Sequence, residues 1–310
     1  MNGREKILIT GGLGNLGSWL TIYFSDKYDV YVLSKNISTS LESNYTLIQA
    51  DITDIDELKL KLNIEFDYCI HTASYNEYFH ENYPKEALLI NSFGTRNLIE
   101  VLKNKNFKNF IYISTFHVYG TSYGSVTENT ELNPANDYAS THLFAEYYLK
   151  QFYKTDKFPF VIFRLTNSYG SPKSINSTKW YLVLNDLVKS AYENNKIVLR
   201  SNGKAIRDFI WMGDVCSIID SSLHLTSDAD NIYNLSSGMT CSMLSLASKV
   251  QKVYTKRYNK KIEIIINKDD KTTYSELRVD NHKLSKLINI KFNDKLCDEI
   301  EVIFNLLENS

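Results

Sequence analysis

Apolar residues in the first half of the chain fall into short runs, and the stretches between them carry amphipathic, helix-compatible spacing. Lys6-Ile7-Leu8-Ile9-Thr10 predicts a first strand, and Ser18 to Phe24 a helix directly after it. Asp29 to Leu33, Thr46 to Ala50, Phe66 to Ala73, Phe110 to Thr115 and Phe158 to Leu165 predict five more strands. Between them lie a helix running through Leu58, a long helical pattern from Tyr83 to Lys103 (Ala87, Leu88, Ile90, Leu98, Ile99, Val101, Leu102) and another from Asp137 to Lys154. Strand and helix alternate through most of this half, with no helix expected between the second and third strands and a polar loop at Thr121 to Asn136. The alternation predicts an α/β fold, a doubly wound parallel sheet covered on both faces.

Beyond Pro172 the regularity loosens. Helices are expected near Tyr181–Asn194, Asp214–Leu225, Met243–Tyr254 and Leu296–Leu307, with short strands at Ile197–Leu199, Asp208–Trp211, Ile232–Leu235 and Lys261–Ile266. Residues 1–170 therefore form the expected sheet domain, with later returns near 205–238. Residues 171–310 form a smaller lobe, expected over the C-terminal edge of the sheet, where ligands of open α/β sheets bind. A chain of 310 residues can bury cores of that size. With 35 Lys+Arg against 36 Asp+Glu it has no net basic field for nucleic acid or an anionic membrane. The polar start carries no signal-peptide pattern, and no apolar run is long enough to span a bilayer. Cys69, Cys216, Cys241 and Cys297 lie far apart with no C-x-x-C pair, which reads as reduced, mostly buried thiols in a cytoplasmic protein. No metal is expected.

The chemistry starts at Gly11-Gly12-Leu13-Gly14-Asn15-Leu16-Gly17, between the first strand and the first helix. Gly12, Gly14 and Gly17 satisfy G-x-G-x-x-G. In that position the motif makes a tight turn, lets backbone approach a pyrophosphate, and aims helix N–H groups at it. The expected ligand is a dinucleotide and the expected fold Rossmann-type. Where an acid would hold the ribose 2′-hydroxyl of NAD, the second strand ends in Ser34-Lys35. A hydroxyl and an ammonium would accept a 2′-phosphate, so NADP is favoured over NAD; a solvated loop lysine is the alternative. Asp51-Ile52 can take the adenine amine and ring face, or Asp51 or Thr53 can cap the next helix. Thr72, Ala73 and Ser74 are small enough to leave room for the cofactor.

Several segments, in order, resemble the extended short-chain dehydrogenase/reductase family, whose members modify nucleotide sugars. Thr10 to Gly17 is similar to its T-G-x-x-G-x-x-G loop, Asp51-Ile52 to its adenine-contacting pair, and Asn91-Ser92-Phe93-Gly94-Thr95 to its N-x-x-G-T segment. Ser114 to Gly120 resembles its catalytic serine/threonine segment, and Arg164 to Pro172 resembles R-x-x-N-V-Y-G-P with the proline one place late. Gly203 to Phe209 resembles G-x-x-x-R-D-F, and Tyr233 to Gly238 resembles Y-N-x-G-S-G. The resemblance implies that the glycine loop and Asn91 belong to the cofactor site. It also implies that Asn167 and Arg207 contact the substrate diphosphate, that Thr115 hydrogen-bonds the reacting sugar oxygen, and that Tyr138 moves the proton. A homodimer through the helices Tyr83–Lys103 and Asp137–Lys154 is implied as well.

One position departs from the family. Its Tyr-x-x-x-Lys reads Tyr138-Ala139-Ser140-Thr141-His142 here. A lysine cation ~5 Å away at an effective dielectric of ~20 is worth roughly 3 kcal/mol, or about two pKa units, in favour of a phenolate. Neutral His142 can hydrogen-bond the nicotinamide ribose but supplies little of that field. A phenol without it is a poor base and still a usable acid. The family's dehydratases place Asp-Glu after the threonine, where this chain has Phe116-His117, so dehydration is disfavoured and His117 is left as an additional acid or base beside the substrate. The expected function is NAD(P)-dependent reduction of a nucleotide sugar at C4. The alternatives are 4-epimerisation with retained NAD, reduction of a non-nucleotide carbonyl compound, and a catalytically impaired dinucleotide-binding protein.

Overall fold

The computed structural model describes residues 3–37, 41–77, 79–177, 179–225 and 230–309. In chain order the elements are β1 Lys6–Thr10, α1 Asn15–Ser25, β2 Asp29–Ser34, β3 Thr46–Gln49, α2 Ile55–Lys61, β4 Tyr68–His71, α3 Tyr83–Ala87, a π-helical turn Leu88–Gly94, α4 Thr95–Leu102 and β5 Asn109–Thr115. A 3₁₀ turn Phe116–Tyr119, β6 Gly124–Val126, α5 Asp137–Asp156, β7 Phe160–Leu165, β8 Asn167–Tyr169, α6 Val183–Asn194, β9 Lys196–Leu199, β10 Ile206–Trp211 and α7 Met212–Ser222 follow. The chain closes with β11 Ile232–Leu235, β12 Thr240–Ser242, α8 Met243–Tyr258, β13 Glu263–Ile266, β14 Leu277–Val279, α9 His282–Ser285 and α10 Leu296–Glu308. These elements divide between two compact units. One comprises residues 1–120, 128–165 and 216–235, the other 121–127, 166–215 and 236–310.

The first unit is the doubly wound domain. Its seven strands run β11-β7-β5-β4-β1-β2-β3, every pair parallel. The chain winds from β1 outward to β3, then returns to β4 on the other side of β1. That reversal makes the C-terminal ends of β1 and β4, at Thr10 and His71, the switch point where such sheets bind ligands. The near-continuous apolar runs of β1, β4, β5 and β7 follow from burial on both faces. Leu8, Cys69, Phe110, Tyr112 and Ile162 pack there against Leu98, Leu102, Leu149 and Phe152 of α4 and α5.

The predicted helix Tyr83–Lys103 is not one regular helix. It contains the π turn around Asn91, which the apolar spacing did not reveal because α3 and α4 on either side keep helical periodicity. Gly94 lies where a Cβ would meet Ile52 Cδ1 at 2.7 Å, so the turn and the end of β3 close on each other.

In the second unit, α6, α8 and α10 share a core of Leu184, Val188, Leu246, Val250, Ile300 and Phe304. Three small sheets complete it: β12-β10-β8, β13-β9 and β14-β6. The expected polar loop Thr121–Asn136 thus contributes β6, paired with β14 through Val126 and Val279. Three residues with no alternation give no strand signal by themselves. Cys69 and Cys216 are buried and Cys241 is half-buried, whereas Cys297 on α10 is exposed.

Candidate active site

The glycine loop has the geometry a pyrophosphate requires. Gly11 sits at φ +67°, and its N–H donates to the Leu33 carbonyl at 2.8 Å. A Cβ on Gly17 would lie 2.1 Å from the Gly11 carbonyl oxygen, so no other residue lets α1 start this close to β1. The cap of α1 is Gly14, which brings no side-chain acceptor to the first turn. That cradle fits the phosphates of a dinucleotide. On the facing strand end, Thr72 Oγ1 donates to the Thr10 carbonyl at 2.7 Å, and Ala73 N–H donates to Thr10 Oγ1 at 3.3 Å. Ser74 beside them is exposed.

At the adenosine end, the residues read from sequence have partners of their own. Ser34 Oγ donates to the Asn36 carbonyl at 2.7 Å. Lys35 Nζ lies 2.7 Å from Asp51 Oδ2. Partial burial opposes the charge on Asp51, but Lys35 and the Thr53 N–H and hydroxyl outweigh it and hold the carboxyl below its ordinary range. The next helix, α2, is capped by Asp54 and not by Asp51, which leaves the outer carboxylate oxygen to Lys35. Ile52 is buried against Gly94.

Asn91 is almost wholly enclosed, and its amide is spent inside the protein. Oδ1 accepts from Tyr75 N–H at 2.6 Å, while Nδ2 donates to the Tyr75 carbonyl at 3.1 Å and to Thr141 Oγ1 at 3.0 Å. Ser92 Oγ donates to the Thr141 carbonyl at 2.8 Å. The π turn therefore ties the loop after β4 to the first turns of α5. Any contribution of Asn91 to a cofactor runs through the backbone it holds.

α5 starts where Asn136 accepts from Ala139 N–H at 2.9 Å, which sets Tyr138 in the first turn. Thr115, at the end of β5, accepts from His117 N–H at 3.2 Å and caps the 3₁₀ turn with its own hydroxyl hydrogen left to donate. Tyr138 is half-buried, with its ring 6.2 Å from that of the exposed His117 and 4.5 Å from that of His142. His142 is only 2% exposed. Its Nδ1 lies 2.7 Å from Tyr112 Oη, and its Nε2 is enclosed without a partner. Burial, with a smaller contribution from His117, pushes the imidazole down to about 3. So the turn that carries a lysine in the family motif carries a neutral, shielded ring here, and its Nε2 is closed off from solvent.

One turn further along α5, Glu146 is buried against Arg164 of β7. Arg164 Nε and Nη2 reach the two carboxylate oxygens at 3.1 and 2.7 Å, and Ser114 Oγ donates to Oε1 at 2.6 Å. Arg164 Nη1 donates to Tyr119 Oη at 3.0 Å, and Tyr119 Oη donates to Asn234 Oδ1 at 2.7 Å. This pair was not singled out in the sequence. Its signal is there, since Tyr138, His142 and Glu146 repeat at four-residue spacing on one face of α5. Tyr112 likewise shares a strand face with Ser114.

Within the second unit, Asn167 Nδ2 donates to the Asp208 carbonyl at 3.0 Å, and Arg207 precedes that aspartate on β10. Asp208 is fully buried. Desolvation raises its pKa against hydrogen bonds from Thr166 and Ser237. Both candidate diphosphate ligands thus stand on paired strands around one immobilised carboxylate.

A doubly wound parallel sheet, a glycine cradle at its switch point and a threonine–tyrosine pair at adjacent element ends define a Rossmann-type dinucleotide-binding protein of the extended short-chain dehydrogenase/reductase class. The chain belongs to the NAD dependent epimerase/dehydratase family, which it matches over residues 7–236. It is 31% identical over 274 residues to a dTDP-D-glucose 4,6-dehydratase of Dictyostelium discoideum, a match that covers 79% of this chain and 61% of that protein. Its fold is that of the UDP-N-acetylglucosamine 4-epimerase from Methanobrevibacter ruminantium M1, solved with UDP-N-acetylmuramic acid, at a TM-score of 0.84 and 22% identity over 100% of this chain and 99% of that one. The UDP-glucuronic acid 4-epimerase from Bacillus cereus, solved with NAD, aligns at a TM-score of 0.81 and 23% identity over 98% and 99% of the two chains. Among the described residues no helix is long and apolar enough to cross a membrane.

Proposed function

We propose that this chain reduces the C4 carbonyl of a nucleotide sugar with a nicotinamide dinucleotide. The observation that carries this reading is the uncharged, enclosed His142 one turn from Tyr138. When bound, the nicotinamide supplies the hydride to the carbonyl carbon. Tyr138 gives its phenolic proton to the carbonyl oxygen and recovers it from solvent, so C=O becomes CH–OH with charge balanced. Thr115 donates its hydroxyl hydrogen to the same oxygen. Gly11, Gly12, Leu13, Gly14, Asn15, Leu16 and Gly17 hold the pyrophosphate; Asp51 and Ile52 face the adenine. Asn167 and Arg207 hold the substrate diphosphate, for which a guanidinium fork is better shaped than an ammonium. His117, exposed beside Tyr138, lines the sugar subsite.

Reduction starts from a protonated phenol, the form a tyrosine without a neighbouring cation already takes near neutrality; alcohol oxidation starts from the phenolate, which a neighbouring cation would favour. Replacing His142→Lys therefore lowers the pH at which oxidation of the reduced sugar accelerates by about two units and leaves reduction near neutrality little changed. Rates in both directions from pH 6 to 10 check this. Identical oxidation profiles for the two proteins would remove the basis of the reading.

A second reading, 4-epimerisation with retained NAD, is favoured by the Lys35–Asp51 pair. With its ammonium on Asp51 and the Ser34 hydroxyl on Asn36, the strand end presents a carboxylate beside the only cation named for a 2′-phosphate. NADP remains the expected cofactor of the reductase, at the cost of breaking that exposed contact. Thermal melts with NAD, NADPH and a panel of UDP-, GDP-, CDP- and TDP-sugars, followed by turnover, separate the two. Stabilisation by a dinucleotide and by no nucleotide sugar would overturn both.

A homodimer is part of the same reading. Leu88, Phe93, Phe144 and Tyr147 leave a half-exposed apolar face on the π turn and α5, and a second copy is its proposed cover.

A further inference from the structure

The identity of the nitrogen that carries the proton on His142 follows from what surrounds it. Tyr112 stands in the middle of β5, its ring between two imidazoles. His71, its register partner on β4, stacks at 5.5 Å and 26°, and His142 of α5 stacks at 5.9 Å and 28°. The phenol is thereby held in one orientation, with its hydroxyl 2.7 Å from His142 Nδ1.

We propose that Tyr112 is the positioning residue for His142: it donates its hydroxyl hydrogen to Nδ1 and fixes the ring as the uncharged Nε2–H tautomer on the turn that follows Tyr138. With Tyr112 as donor, a single buried group, the Nε2–H, is left unmatched. With Nδ1–H as donor, the Tyr112 hydroxyl hydrogen and the Nε2 lone pair are both orphaned. A doubly protonated ring orphans two hydrogens and buries a charge. Each buried orphan is costly, so the first arrangement prevails. The neighbouring histidine follows the same rule. Thr95 Oγ1 donates to the Asn91 carbonyl at 2.6 Å, so it accepts from His71 Nε2–H at 2.8 Å, and His71 Nδ1 accepts from Thr10 Oγ1.

The titratable groups around His142 are His71 from β4, Tyr112 from β5, His117 from the 3₁₀ turn, and Tyr138 and Glu146 from α5 itself. None places a carboxylate on the ring, because Glu146 is committed to Arg164 and Ser114. Burial pushes His142 and His71 alike down to about 3. The consequence rests on the reductase reading: burial keeps the ring beside Tyr138 uncharged, and Tyr112 selects which of its two nitrogens carries the proton.

The test is nitrogen NMR of the full chain labelled with ¹⁵N-histidine, the His142 signals being those lost in His142→Gln. In the unmodified protein Nδ1 is expected as an unprotonated acceptor and Nε2 as protonated, unchanged from pH 8.5 to 5.5. In Tyr112→Phe the Nδ1 signal shifts as its donor is lost and the two tautomers exchange. A protonated Nδ1 in the unmodified protein, titration of His142 in that range, or an unchanged signature in Tyr112→Phe would overturn the assignment. Each of these readouts is independent of turnover, so a failure of nucleotide-sugar binding in the thermal melts is a separate result.

Discussion

Tyr138→Phe lowers the turnover number for carbonyl reduction by about 10²- to 10⁴-fold, the range that a positioned proton donor contributes. The substitution removes one oxygen and keeps the ring, so its contacts with His142 at 4.5 Å and His117 at 6.2 Å persist. The Asn136 cap that sets the helix start is also untouched. Melting temperature and dinucleotide binding are therefore expected to match the unmodified protein, and the loss falls on turnover. Steady-state kinetics with a keto-sugar nucleotide, set beside a thermal melt, measure both. Full activity in Tyr138→Phe would transfer the proton to His117, the other titratable group at the site that is exposed, and His117→Ala would then be the inactive variant.

Glu146→Ala costs about 3–5 kcal/mol of stability, because it leaves the guanidinium of Arg164 buried without its counter-charge. Both side chains are nearly or fully enclosed, at 2% and 0% exposure, so water cannot take over for the carboxylate. Arg164 would keep only Tyr119 Oη at 3.0 Å and the long contact to the Glu128 carbonyl, and Ser114 would lose its acceptor. The ion pair itself is not thereby shown to be strongly favourable. The double replacement Glu146→Met with Arg164→Met, which removes both charges, should recover most of the loss. Urea denaturation of the three proteins gives the comparison. If Glu146→Ala unfolds at the same midpoint as the unmodified protein, the pair does not anchor α5 to β5 and β7, and Tyr138 owes its position to the Asn136 cap and the Asn91, Ser92 and Tyr112 contacts.

These two effects have different origins, and they explain which residues could be recognised in advance. Tyr138 stands where the chain resembles a short motif, Tyr-x-x-x-Lys, that can be recognised in one stretch of sequence. Glu146 matters because Ser114 of β5 and Arg164 of β7 converge on it, and convergence has no signature in a single stretch of chain. The same holds for Tyr112. As a tyrosine in an apolar strand it is unremarkable; it acquires a role only once His71 and His142 stand on either side of it.

Lys35 shows how a local reading can be incomplete. A serine and a lysine at the end of β2 do suit a 2′-phosphate, but the end of β3 lies alongside and brings Asp51 to 2.7 Å from the ammonium. Which charge Lys35 serves depends on strand pairing, and strand pairing is not local. Asn91 is a similar case. The N-x-x-G-T segment marks it out, while the π turn decides that its amide faces Tyr75 and Thr141.

The sequence by itself determined the doubly wound fold, the dinucleotide cradle and the family. Each rests on short-range rules: apolar runs of strand length alternating with helical periods, and glycines required wherever backbone must approach backbone or phosphate. Only the tertiary structure decided how the ring on the turn after Tyr138 is held. Histidine in place of lysine reads as neutral in the sequence, but nothing there says whether the ring meets solvent or what binds its nitrogens. Burial to 2% keeps it neutral, and the hydroxyl of Tyr112, thirty residues away on another element, holds Nδ1. Charge in a protein interior is set by what surrounds a group in space, and that is assembled by the fold.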